Sequence, residues 1–218
     1  MDTALPGFER LISTCRRYQL PLELSPAIED APLAAELFLG QPLDPVLATL
    51  YGRVGQSRIG DFSLYGPSSG EYGLRWMNEL YRNDGREPFL QSLVFGQLPS
   101  LAYRFAVVPR LADEHGIQPV IFIDDHLEKQ VLPVASSVDR FFDAYARALE
   151  DFARISDEQY RDWNDMDYPP PAPEFLAEDT ALVKLLEAGR FDGLVSTDPE
   201  SQEWIRRVLT LGLEAAPR

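Results

Sequence analysis

The sequence predicts an α+β domain: a largely antiparallel sheet of about five strands with helices packed on it, followed by a helical hairpin. Three observations lead there. Between Tyr103 and Val108, Tyr103, Phe105 and Val107 alternate with Arg104, Ala106 and Val108, as in a sheet with one face buried. Most candidate strands are joined by short turns. Parallel neighbours need crossovers of a dozen or more residues, and only the stretch from Tyr65 to Phe89 is long enough. Finally, residues 118–151 run from an apolar strand through an acidic turn into a second strand and an amphipathic helix.

In chain order, the first 55 residues read as helical. Phe8, Leu11, Ile12 and Cys15 form one apolar stripe at helical spacing. Pro26 opens a second helix, Ala27 to Leu39, closed by Gly40, and Pro42 and Pro45 start a third, Val46 to Tyr51. Ile59 to Tyr65 then reads as a strand, the GPSSG run at 66–70 as a turn, and Tyr72 to Tyr81 as a helix. Phe89 to Phe95, Tyr103 to Val108, Val120 to Ile123 and Gln130 to Val134 complete the strands. Ser136 and Ser137 start a helix with Val138, Phe141, Phe142, Tyr145, Leu149 and Phe152 on its apolar face.

Past residue 155 the composition shifts. An acidic, aromatic, proline-rich stretch holds Pro169 to Pro171, expected as polyproline II, and helices follow at Ala177 to Ala188 and Pro199 to Leu213. The expected division is a main α+β domain over 1–155 and an acidic linker with an accessory helical hairpin over 156–218. About 60 residues make a marginal core alone, so the hairpin is expected to pack on the main domain.

The 218 residues carry 35 acidic and 20 basic side chains, a formal net charge of −15. That excess repels nucleic acid and anionic membrane surfaces and favours a basic partner. No apolar run approaches the roughly 20 residues that span a bilayer, and no leader pattern appears, so a cytoplasmic protein is expected. Cys15 is the only cysteine, which rules out an internal disulfide and a cysteine-based zinc site.

Catalytic signals are sparse. Gly66-Pro67-Ser68-Ser69-Gly70 fits G-x-S-x-G, with a strand before it and a helix after it, so a serine hydrolase using Ser68 is one alternative. A strand-to-helix turn explains the same residues. Asp124, Asp125 and His126 could be read as metal ligands, but the chain has only two histidines and no recognised metal loop, so no metal is expected. No phosphate-binding or dinucleotide-binding glycine pattern occurs, and no cofactor is expected. Trp163, Met166 and Tyr168 lie among Asp162, Asp165 and Asp167; these large side chains either anchor a partner or fold back over the core.

The run PVIFIDDHLEKQVLPVASSVDRFFDAYARALE resembles the C-terminal half of the SUKH superfamily, the Smi/Knr family. The matching positions are Val120 to Asp124, Val131 to Val134, Ser136 and Ser137, and Phe141 and Phe142. Residues from Leu43 to Gly55 are similar to the family's early region in looser form. The resemblance implies a mixed α/β domain, often a bacterial immunity protein that binds a polymorphic toxin, commonly a nuclease, without turnover. A regulatory scaffold with no toxin is the other reading it allows. If the chain is a module that binds a basic toxin, the expected contacts are exposed acids: Asp124, Asp125 and Glu128 at the turn, and Asp162, Asp165 and Asp167 in the linker.

Overall fold

A computed structural model describes residues 4–27, 37–68, 70–83, 85–126, 130–155, 166, 168–169 and 173–215. The expected α+β class is found: an open antiparallel sheet of seven strands with helices packed on it. Helix α1 is Pro6–Arg17, followed by β1 (Leu22–Pro26), the small hairpin β2 (Leu37–Phe38) and β3 (Gln41–Pro42), and α2 (Pro45–Tyr51). Next come β4 (Val54–Ile59), β5 (Phe62–Leu64), α3 (Leu74–Asn83), β6 (Leu93–Leu98), β7 (Tyr103–Val107), β8 (Val120–Asp124) and β9 (Gln130–Ala135). The chain ends with α4 (Val138–Ile155), α5 (Pro173–Ala177), α6 (Thr180–Glu187) and α7 (Pro199–Ala215). The large sheet runs β1-β4-β5-β6-β7-β8-β9, every neighbour antiparallel.

Seven strands replace the expected five for two reasons. The single strand expected over Ile59 to Tyr65 is a hairpin, folded at Gly60, whose φ of +64° a glycine adopts freely, and Asp61. The helical reading of the first 55 residues also missed β1, whose sequence LELSP carries no apolar run. An outermost strand needs none and tolerates Pro26. The helix expected over Ala27 to Leu39 falls mostly outside the described residues, and its end is corrected: Leu37–Phe38 pairs with Gln41–Pro42 across a turn at Leu39 and Gly40, both at positive φ. The strand expected at Phe89 to Phe95 begins only at Leu93, because residues 87–91 form a turn.

The core lies between one face of the sheet and the pair α1–α4. Phe62, Phe105 and Phe122 point to this face; Phe62 and Phe105 meet Phe141 of α4 at 5.5 Å and 4.6 Å, ring centre to ring centre, and Phe122 packs beside Phe105 at 5.9 Å. Gly96 is required here: a Cβ on it would sit 2.3 Å from Phe62 Cζ. Helix α1 has no side-chain cap of its own; Asp139 of α4 accepts the free Gly7 and Phe8 amides, each at 3.1 Å. Arg10 ties the same helices through Glu150 at 2.6 Å and Asp143 at 3.2 Å.

The C-terminal helices lie against α4 and β9. Asp179 starts α6 by accepting Leu182 N, and also accepts Ser136 N at 2.7 Å and Ser136 Oγ at 2.8 Å. The stretch expected as one helix from Ala177 is therefore broken before Thr180 by its own cap. Ser196 exchanges hydrogen bonds with Val131 through its hydroxyl (2.7 Å) and its amide (3.2 Å), which occupies part of the β9 edge.

Candidate functional site

Asp124 and Asp125 lie together where β8 ends, and both carboxylates are half-buried and already used. Asp124 Oδ1 accepts His126 N at 2.9 Å, holding the turn, and Asp125 lies 3.9 Å from Arg86. Glu128, Asp162, Asp165 and Asp167 fall outside the described residues, as do Trp163 and most of the Pro169 to Pro171 run. The two described apolar side chains of the Trp163, Met166 and Tyr168 trio fold back. Met166 is buried, and Tyr168 is fully buried with its ring 5.2 Å from Tyr145 and 6.1 Å from Phe105.

The turn's third polar residue, His126, is exposed, and among the described residues no three His, Cys, Asp or Glu side chains converge as a metal site would need. Ser68 sits where the elbow pattern places it, between β5 and α3, but β5 is an antiparallel strand of a meander rather than a parallel central strand. Among the described residues no hydrogen bond joins Ser68 to a histidine; the other histidine, His115, stands at an exposed turn 3.6 Å from Glu114. The glycines have a packing role instead. Cβ atoms on Gly66 and Gly73 would lie 3.0 Å from Gln56 Cβ and 2.3 Å from Ser68 O, and a bridge between these glycines closes the loop.

That closed loop walls a groove of about 310 Å³ on the sheet face opposite α4. Side chains alternate between faces along a strand, so Phe62 points into the core while its neighbour Ser63 points into the groove. The same alternation sends Glu23 and Ser25 of β1, Gln56 and Arg58 of β4, and Gln97 of β6 to this face. Tyr65 and Tyr72 close it on the loop side. Tyr65 Oη donates to Gln97 Oε1 at 3.0 Å, so the 2.8 Å contact between Tyr65 and Tyr81 is donated by Tyr81. Burial and the Tyr81 hydroxyl push the Tyr65 phenol far up, which keeps that chain neutral and directional. The guanidinium of Arg104 stands 5.7 Å from the Tyr81 ring.

Sequence reasoning missed this groove because its residues are spread over four strands and a loop, and none has unusual spacing. The one local signal was alternation in LELS at 22–25, where Glu23 and Ser25 are the polar residues.

A second electrostatic feature involves the whole surface. Arg10, Arg53, Arg58, Arg86, Arg147, Arg154, Arg206 and Arg207 each lie 3.9 Å or closer to a carboxylate of the same chain. These cations are matched internally, so the acidic surplus is what the surface presents.

Comparison with family models, with curated proteins and with solved structures finds no match to this chain. No helix among the described residues is long and apolar enough to cross a membrane.

Proposed function

We propose that the chain is a non-enzymatic, immunity-type protein that binds and neutralises a basic, nuclease-like toxin in the cytoplasm. The observation that carries this reading is the unmatched acidity: a net charge of −15, with eight arginines already standing beside carboxylates of the same chain. Such a surface steers a basic partner into encounter and opposes approach to nucleic acid phosphates. The resemblance of residues 120–142 to the SUKH superfamily supports the same reading.

Asp124 and Asp125 remain the contact proposed within the described residues. Each carboxylate oxygen accepts more than one hydrogen bond, so the bond from His126 N and the 3.9 Å ion pair with Arg86 leave acceptor positions for an incoming Lys or Arg. Glu128, Asp162, Asp165 and Asp167, outside the described residues, are proposed as further acidic contacts on the basis of the sequence. The test is co-expression with the C-terminal domain of a polymorphic toxin encoded beside this chain. Restored growth together with co-purification of the two proteins supports the reading. Unrelieved toxicity with the chain folded and expressed removes it.

A further inference from the structure

The groove above the sheet has three properties that an acidic docking surface does not use. Tyr72 holds φ at +62°, a region that bulky side chains rarely adopt, yet its ring is 57% exposed on the groove wall, 5.5 Å from Trp76. An aromatic ring kept both strained and exposed points to a ligand that stacks on it. Gln97 is oriented in advance: the Tyr81–Tyr65 chain holds its oxygen, and its amide NH2 makes no hydrogen bond among the described residues. The charges balance, because Glu23 and Arg58 are cross-strand neighbours and the remaining polar groups are neutral hydroxyls and amides.

These properties select among ligand chemistries. An anion would meet one guanidinium beside a carboxylate on a strongly acidic chain, and a cation would meet Arg58. An apolar ligand would leave the amides and hydroxyls without partners. A sugar suits all three properties: its hydroxyls both donate and accept, and its C–H face stacks on an aromatic ring. A volume of about 310 Å³ lies at the small-ligand end of binding pockets, room for a short saccharide.

We propose that this groove is a saccharide-binding site in which Tyr72 stacks on the sugar ring while Gln97 Nε2, Arg58 and Glu23 bind its hydroxyls. The site is separate from the proposed toxin contact, so each stands or falls alone. The test is an amide NMR titration of the full chain with cellobiose, maltose and chitobiose, with adenosine as a stacking ligand that lacks a pyranose ring. At least one disaccharide should give saturable shifts confined to Ser25, Gln56, Tyr72, Gln97 and their neighbours. Tyr72→Phe should retain that affinity. Tyr72→Gly should weaken it at least tenfold without lowering the melting temperature, because glycine accepts the backbone angle. Localised shifts with none of the three disaccharides, shifts with adenosine alone, or unchanged affinity in Tyr72→Gly would each overturn the proposal.

Discussion

Asp44 should make the fold more stable as the solution is acidified from pH 8 to pH 5, and Asp44→Asn should remove that dependence. The carboxyl is fully buried, accepting Leu47 N at 2.8 Å at the start of α2 and Gln118 N at 2.6 Å from the chain just ahead of β8. Burial pushes its pKa from 3.8 to about 6, against the hydrogen bonds from Gln118 and Leu47. Between those values the folded chain holds a proton that the unfolded chain has released, so stability falls as pH rises. The contribution is fully present below the unfolded value and is lost as pH climbs through about 6. The full difference corresponds to about 3 kcal/mol, of which about 1.4 kcal/mol develops between pH 8 and pH 5. Asparagine cannot titrate, and it offers one acceptor oxygen where each of the two carboxyl oxygens meets a buried N–H. It should therefore cost about 1–3 kcal/mol at pH 5, by leaving one buried N–H unmet, and markedly less at pH 8. Urea unfolding of both proteins at the two pH values gives the double difference, in which other titrating groups cancel. Equal pH dependence in the two proteins would refute the assignment.

Two further outcomes follow from packing. Asp179→Ala removes the α6 cap and the acceptor for Ser136 N and Oγ together, and should lower stability by about 2–4 kcal/mol in urea unfolding, whereas Ser136→Ala should cost well under half of that. Gly96→Ala drives a methyl group into Phe62, which is enclosed by Phe95, Phe105, Phe141 and Phe142, and should cost about 1–3 kcal/mol and depress the melting temperature.

The strongly patterned elements were legible in the sequence. The α1 stripe of Phe8, Leu11, Ile12 and Cys15 is buried, and so are Phe141, Phe142 and Tyr145 of α4. Periodicity reports burial, so it succeeds wherever one face meets the core. It failed at β1, where polar residues and Pro26 form an outermost strand held by backbone pairing to β4. It also failed at Gly60-Asp61, where a two-residue turn hides inside what looks like one long strand. The acidic turn was located correctly, but its engagement with His126 N and Arg86 depends on geometry no spacing reveals. The groove is a cross-strand property and exists only once the register sets Glu23 beside Arg58. The Gly66 to Gly70 motif carried a catalytic signal in sequence and a packing role in the fold, because the same small residues let a loop close tightly.

On the proposed reading, acidity at the end of β8 draws in a basic protein. Stopped-flow association of the chain with the neighbouring toxin domain, at low and high salt, tests it most directly. Wild type should associate at least about tenfold faster at low salt than Asp124→Lys/Asp125→Lys, checked to be folded, and the gap should narrow as salt rises. Equal association rates for the two proteins at low salt, or no association by wild type, would contradict it.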